Sequence, residues 1–308
     1  MKKITIFLLY GFASGVFLLF LLGMVVNNSR DEKDFPHGYK IISPEIPGEL
    51  DFCEERVPLE NFEVFERMDR EFIVNTYFHS ATILVIKRAN RWFPVVEPIL
   101  EANGVPDDMK YLMVAESGIT NAISSAGATG YWQFMEGAAL KYGLEVNSEV
   151  DERYHMEKAT DAACKYLNEA YSLFGSWTVA AASYNTGIPN VQKQIERQKA
   201  KNYYNLVFSE ETLRYIARIV AIKEIMNNPE RYGFDIKQNE LYNPLPYEIV
   251  QVSGPIDNLA DFAIGYGINY RILKLYNPWL RDNVLKNENR KTYSIKIPEG
   301  GSIEIIKE

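Results

Sequence analysis

One acidic residue, a loop of small residues and a cluster of rings follow one another from Glu116 to Met135, in the stretch ESGITNAISSAGATGYWQFM. Glu116 falls at a predicted helix end, and the small residues of 124–130 allow a ligand to come close to the backbone. Residues 131–135, YWQFM, place rings on both sides of an amide. Sugars bind such surfaces, because their C–H faces stack on rings and their polar groups need fixed partners. A helix end followed by core aromatics is the commoner origin of such a stretch, so the spacing alone leaves both this interpretation and a glycan site open.

The predicted position of Glu116 suits proton transfer. A helix dipole is negative at its carboxyl end, and the apolar neighbours Leu112, Met113 and Ala115 remove water from the acid. Both effects disfavour the carboxylate, and a general acid needs a raised pKa. Most glycosidases use two carboxylates, whereas Glu116 is the only obvious candidate in this region, since Glu136 is predicted to be exposed.

Three stretches resemble, in order, the motifs of the goose-type-lysozyme-like lytic transglycosylases, and in particular the membrane-bound lytic murein transglycosylase D group. Residues 116–135 are similar to the family's ES, serine loop, G-x-x-G and WQFM-like run. Residues 183–187, SYNTG, resemble its A-Y-N-x-G, and residues 211–216, ETLRYI, resemble its E-T-R-x-Y-V. The resemblance extends to about residue 235. The loop is one residue shorter than the family's pattern, so Ser124, rather than Ser125, matches the family's loop serine.

This resemblance implies a lysozyme-like, α-helical transglycosylase domain over residues 59–238. Such enzymes cleave the β-1,4 bond between N-acetylmuramic acid and N-acetylglucosamine with one acid, which forms a 1,6-anhydro end without water. Glu116 would be that catalytic residue. The positions implied to bind substrate are Ser124, Gln133, Phe134, Met135, Tyr184, Asn185 and Glu211. A lysozyme-type hydrolase and a non-catalytic wall-binding protein are the alternatives, and Glu116 together with both partner motifs argues against the second.

The amino terminus predicts a membrane anchor. Lys2 and Lys3 precede an uncharged run from Ile4 to Val26, which is long enough to span a bilayer and lacks a small-x-small cleavage site. We therefore expect residues 1–27 to hold the protein in the inner membrane with its catalytic domain in the periplasm, a cleaved signal peptide being the alternative. Residues 28–58 are polar with four prolines, and predict a linker or a strapped-down arm.

The remaining pattern predicts a mainly α protein with a small α+β module. Helical spacing begins at residue 59, with separate helices predicted over 79–89 and 91–103. After Gly233, two alternating stretches at 247–252 and 293–298 flank two short helices. This β-α-α-β order over residues 245–300 resembles a LysM module, a small peptidoglycan-binding fold. The alternative is an extension that supports the main domain.

Composition narrows the possible partners. A net charge of −8 and a pI near 5.2 argue against a nucleic-acid protein, which would present a basic face. The histidines are isolated, no zinc-ligand spacing occurs, and the run GATG at 127–130 lacks the lysine of a phosphate loop. We therefore expect no metal and no cofactor, with peptidoglycan strands and the membrane as partners. Cys53 and Cys164 are predicted to be free thiols, although a disulfide is permitted outside the cytoplasm.

Overall fold

The computed structural model describes residues 41–300, and from Pro44 onward the chain forms one compact unit. The predicted anchor over residues 1–27 lies outside the described residues. Among residues 41–300, none of the helices combines the length and the apolar character needed to cross a membrane.

Helices build the part of the chain before residue 230. Each buries one apolar face, as the three-to-four-residue spacing predicts. The α-helices are α1 (Phe62–Tyr77), α2 (His79–Ala102), α3 (Met109–Ser117), α4 (Glu136–Lys141), α5 (Met156–Phe174), α6 (Trp177–Thr186), α7 (Ile188–Gln198) and α8 (Glu210–Asn227). Short 3-10 turns lie at Glu152–Tyr154, Tyr203–Asn205, Pro229–Tyr232 and Gln238–Glu240.

Helix α2 is continuous, so the prediction of two separate helices over 79–89 and 91–103 was wrong about the break. Pro94 and Pro98 lie inside it and remove two backbone donors from its ladder. The helix continues because buried Ala89, Val96 and Leu100 share one face on both sides of the first proline. Tertiary burial of that face outweighs the local preference of proline to end a helix.

The end of the predicted linker is part of the folded domain. Two short strands, β1 (Asp51–Phe52) and β2 (Glu55–Arg56), pair in a hairpin whose Phe52 is fully buried. The Glu55 carboxylate accepts hydrogen bonds from the backbone of Trp177 at 2.6 Å and of Thr178 at 3.0 Å. It therefore caps the amino end of α6. Residues 44–58 form a strapped-down arm, as the second of the two interpretations expected.

The carboxy-terminal module has the predicted β-α-α-β order. It comprises β3 (Tyr247–Val252), α9 (Leu259–Gly265), α10 (Tyr270–Tyr276) and β4 (Tyr293–Pro298). The strands pair antiparallel, with Tyr247 opposite Pro298 and Val252 opposite Tyr293. Alternate residues of β4 point inward, and Val150 and Tyr154 of the helical part complete the module's apolar core. The module is thus packed against the helical part.

Both cysteines are free, as predicted, and the structure buries Cys53 as well as Cys164. Burial is the main cause that raises the pKa of both thiols, that of Cys164 to about 12. A thiol in this state is a weak nucleophile, so neither residue belongs to a reactive site.

Candidate active site

Helix α3 delivers Glu116 next to its carboxyl end, as the sequence predicted. Met109, Leu112 and Met113 are fully buried and fix the helix in the core. Gly118 ends the helix with φ of 58°, and its N–H donates to the Val114 carbonyl at 2.8 Å. The side chain of Glu116 is therefore held at a defined helix end, partly buried.

The Glu116 carboxyl has one direct partner on helix α8. The buried Tyr215 hydroxyl donates a hydrogen bond to Glu116 Oε1. Burial raises the pKa of Glu116 to about 7; the Tyr215 hydrogen bond and the positive charge of Arg218 act against that rise, and the negative charge of Glu211 adds to it. A group with this pKa exists in both protonation states near neutral pH, so it can both donate and accept a proton.

Arg218 belongs to an ionic cluster around the buried Glu71. Glu71 is 1% exposed and accepts hydrogen bonds from Arg70 and from Arg214 Nε at 2.9 Å, while Arg218 Nε lies 3.6 Å from it. These contacts tie α1 to α8 and fix the arginine whose charge acts on Glu116. Removing one partner of such a buried network leaves an uncompensated charge.

Residues 122–134 form a loop joined by its own backbone hydrogen bonds, and we call it the active-site loop. Thr129 and Phe134 exchange two backbone hydrogen bonds of 3.1 Å, and the Gly130 N–H donates to the Ala122 carbonyl at 2.8 Å. Gly130 has φ of +83°, and a Cβ there would lie 1.9 Å from the Arg153 carbonyl oxygen. This position therefore requires glycine for two reasons, its backbone conformation and the close approach of residue 153.

The rings of this loop lie in the core, as the alternative of core aromatics expected, and do not offer an exposed stacking surface. Tyr131 is 6% exposed, Trp132 is fully buried and Phe134 is 4% exposed. The Trp132 indole donates to Thr160 Oγ1 at 2.9 Å, deep in the core. Of the predicted residues in this run, Met135 is the exposed one, at 49%. These rings join the apolar core of the helical part, where close packing favours their burial.

Two of the predicted sugar-binding side chains hold the loop itself. Gln133 Nε2 donates to the carbonyl oxygens of Gly130 at 2.7 Å and Ala122 at 3.0 Å. Ser124 Oγ accepts the Ala128 N–H at 3.0 Å. These hydrogen bonds shape the active-site loop, and both residues remain partly accessible beside it.

The other two stretches meet the first around Glu116. The Tyr184 hydroxyl donates to the Trp132 carbonyl at 2.8 Å. Burial, followed by the negative charge of Glu116, raises the pKa of Tyr184 well above its ordinary value. Asn185 Oδ1 accepts from Thr212 Oγ1 at 2.8 Å, and its Nδ2 lies 3.4 Å from Glu211 Oε1. Helix α6 and the start of α8 are thereby joined beside the acid.

Sequence reasoning missed three residues of this arrangement. Tyr215 stands inside the third motif, but its helical spacing assigned it to the core; it is buried and also bonds the acid. Arg218 lies one turn further along the same helix. Arg153 carried no signal in the sequence, because it reaches the loop only through the fold.

No metal site accompanies the acid in the described part of the chain: within residues 41–300, no group of three or more His, Cys, Asp or Glu side chains is placed to hold an ion. A separate cavity of about 120 Å³ lies where the helical part meets the module, lined largely by rings such as Trp92, Tyr131 and Trp279. Glu116 does not line this cavity and lies instead where α3 meets α8.

Comparison with known proteins finds relatives for two parts of the chain. Residues 97–207 match the family model described as transglycosylase SLT domain, and residues 248–301 match the soluble lytic transglycosylase C-terminal LysM-like domain. The curated relatives include membrane-bound lytic murein transglycosylase D of Escherichia coli strain K12 and that of strain O6:H1. Each is 26% identical over 234 residues, covering 73% of this chain and 50% of the relative. The chain thus spans about half the length of these relatives.

Among solved structures, an inactive mutant of the lytic transglycosylase Slt from Pseudomonas aeruginosa is 20% identical, with a TM-score of 0.38. The match covers 49% of this chain and 26% of that one, which is too weak a likeness to support a conclusion. The sequence matches carry the assignment: the chain is homologous to membrane-bound lytic murein transglycosylase D and combines a mainly helical transglycosylase SLT domain with a small LysM-like domain.

Proposed function

We propose that this protein is a peptidoglycan lytic transglycosylase with Glu116 as its single acid and base. The observation that carries the proposal is the partly buried Glu116 carboxyl at the end of α3, whose pKa burial raises to about 7 and to which Tyr215 donates a hydrogen bond. The SLT match and the names of the curated relatives support the substrate class.

The reaction uses the two protonation states of Glu116 in turn. Protonated Glu116 donates its proton to the glycosidic oxygen between N-acetylmuramic acid and N-acetylglucosamine, and that bond breaks. The substrate's acetamido group stabilises the cationic sugar. Ionised Glu116 then takes the proton of the muramoyl 6-hydroxyl, whose oxygen bonds to the anomeric carbon and closes the anhydro ring. A pKa near the working pH serves both transfers.

The predicted binding residues divide into two proposed roles. Met135 and Asn185 offer exposed or partly exposed surface beside the cleft, and are proposed to contact the sugar. Ser124, Gln133, Phe134 and Tyr184 are proposed to act together with the loop backbone that they shape.

A hydrolase on the same fold is a second candidate, and Glu211 is the observation in its favour. Its carboxylate lies 3.4 Å from Asn185 Nδ2 and its charge acts on Glu116, so a second carboxylate is within electrostatic reach. Inverting glycosidases use a second carboxylate as a base that activates water. In that case Glu211 would direct a water at the sugar, and the product would carry a reducing end.

Mass analysis of the products separates the two candidates. Purified peptidoglycan is digested with the wild-type protein, and the released muropeptides are weighed. We expect anhydro ends, which are lighter than hydrolysed ends by one water. Reducing ends alone would establish the hydrolase, and no release at all would refute both candidates.

Glu116→Gln tests the assigned residue in the same assay. General acid–base transfer contributes about 10²–10⁴-fold in rate, and one residue serves two steps here, so the loss should reach the upper end of that range. Glu136→Gln is the matched control, since it makes the same substitution at an exposed carboxylate close in sequence. A Glu116→Gln protein that released anhydro products near the wild-type rate would contradict the assignment.

We further propose that the protein works in the cell envelope, held in the inner membrane by residues 1–27 with the catalytic domain in the periplasm. The uncharged run from Ile4 to Val26 supports this location, as does the name of the relatives, which describes them as membrane-bound. Amino-terminal sequencing of membrane-extracted protein should begin at or near Met1. A first residue after Val26 would instead establish a cleaved signal peptide.

A further inference from the structure

Residues 145–155, between α4 and α5, lie against the active-site loop, and we call them the bridging segment. Arg153 Nη1 donates to the carbonyl oxygens of Phe134 at 3.3 Å and Gly127 at 3.4 Å. The Arg153 carbonyl packs against Gly130 so closely that no side chain fits there. Arg153 thus contacts the loop in its middle, at Gly127 and Gly130, and at its end, at Phe134.

Arg153 is itself fixed by Asp151. Asp151 Oδ1 accepts from Arg153 Nε at 2.9 Å, and Asp151 Oδ2 accepts from Nη2 at 2.7 Å. The Arg153 and Asp151 side chains are 10% and 9% exposed. A paired fork of this kind is both strong and directional, so the guanidinium has one orientation toward the loop.

The opposite side of the bridging segment belongs to the carboxy-terminal module. The Asp151 N–H donates to the Trp279 carbonyl at 2.9 Å, and the Arg281 N–H donates to the Glu149 carbonyl at 2.7 Å. Val150 is 1% exposed and lies in the module's own apolar core. Asp151 is therefore bonded to the module by its backbone and to Arg153 by its side chain.

We propose that the carboxy-terminal module is a positioning element of the active site, which holds the active-site loop in place through Asp151 and Arg153. The proposal rests on the function proposed above and adds to it. It gives the module a role in cleavage of soluble substrate, independent of any role in binding insoluble wall. Arg153 is the positioning residue, since it contacts the loop that carries Ser124 and Gln133.

The module affects the loop because the bridging segment, which contacts the loop, is itself held by the module. A loop held by few backbone hydrogen bonds opens locally unless neighbouring structure restrains it. The bridging segment supplies that restraint only while its own backbone is fixed, and two of its backbone hydrogen bonds end on the module. Releasing the module should therefore raise the mobility of the loop and weaken substrate binding.

The first experiment undocks the module in the full-length protein. Val150→Asp places a carboxylate in the module's core without altering any residue of the module or the cleft. Val150→Ala is the matched control, which removes two methyl groups and adds no charge. Hydrogen exchange then reports on two places: the junction amides of Asp151 and Arg281, and the loop amides of Thr129 and Phe134.

We expect Val150→Asp to accelerate exchange at the junction and, by about tenfold, at the loop, which corresponds to about 1.4 kcal/mol of lost protection. Val150→Ala should change the loop much less. Fast exchange at the junction with unchanged exchange at the loop would overturn the proposal. If Val150→Asp fails to fold, the variants of the second experiment decide.

The second experiment removes the positioning residue. Arg153→Gln should raise KM for short soluble glycan strands about tenfold, with a smaller fall in kcat, because the loop would be ordered only on binding. Arg153→Lys should recover part of the loss, since it keeps the charge without the fork. Lys110→Gln is the matched control: its side chain is also 10% exposed and paired with acids, but it does not contact the loop.

If Arg153 had a structural role only, the two Arg153 variants would have a lower melting temperature and an unchanged KM. Unchanged KM in Arg153→Gln, or an equal rise in Lys110→Gln, would overturn the proposal. Failure of the proposed function would be distinguishable from failure of this proposal. In that case wild-type protein would release no anhydro products, whereas hydrogen exchange in the Val150 variants would still show the link between module and loop.

Discussion

Replacing Glu116 by glutamine should stabilise the protein in a pH-dependent way. Burial raises the pKa of Glu116 from 4.5 to about 7 in the folded state. Above pH 4.5 the unfolded chain ionises this carboxyl freely, whereas the folded chain resists ionisation until about pH 7. The folded state therefore loses stability from this group as the pH rises through that window, and the loss is complete above it.

The size of the effect follows from the difference of about 2.5 in pKa. Each pKa unit corresponds to about 1.36 kcal/mol, so ionisation of Glu116 costs the folded state about 3 kcal/mol at pH 9. Glutamine has the same shape, carries no charge and can still accept the Tyr215 hydrogen bond. We expect Glu116→Gln to melt roughly 5–10 °C above wild type at pH 9 and close to wild type at pH 4.

Thermal melts of both proteins from pH 4 to pH 9 measure this difference. Glu136→Gln is again the control, because an exposed carboxyl should give no such pH-dependent gain. A melting difference between Glu116→Gln and wild type that stayed constant across this range would refute the reasoning. The pKa of Glu116 would then not be raised by burial, and the acid–base assignment would lose its main support.

Three further changes test the hydrogen bond to the acid, the geometry of the active-site loop and the cap of α6. Tyr215→Phe removes a hydrogen bond that favours the ionised acid, worth about 1.5–3 kcal/mol, so the alkaline limb of the pH–rate profile should move up by about 1–2 pH units; an unchanged limb would contradict the contact. Gly130→Ala places a Cβ 1.9 Å from the Arg153 carbonyl at a positive φ, so unfolding free energy should fall by at least about 2 kcal/mol; near-wild-type denaturant curves would contradict the loop geometry. Glu55→Ala removes the cap of α6 and should lower stability by about 1–2 kcal/mol in urea unfolding, whereas no change would place the hairpin outside the cooperative unit.

Local patterns in the sequence were enough for the helices, the module and the position of the acid. Helical spacing located most helices, and period-two alternation located β3 and β4. The end of α3 and the place of Glu116 on it follow from an apolar face and the glycine after it. The sequence also contains three separate motifs, and the structure places them side by side.

The fold alone decided which side chains serve the acid and which serve the core. Trp132 and Phe134 look like a binding surface in the sequence, yet they are buried because the helices close over them. Tyr215 looks like core, yet its hydroxyl reaches Glu116, 99 residues away in the chain. Periodicity reports the face of a helix; it does not report which atom of a distant helix meets that face.

The link between the module and the active-site loop was also beyond the sequence. Asp151 and Arg153 are ordinary residues in a short connection, and no motif marks them. Their roles come from backbone carbonyl groups of Trp279, Gly127 and Phe134, which every residue type possesses. A hydrogen bond to a carbonyl leaves no trace in the partner's side chain, so only the tertiary structure brings these atoms together.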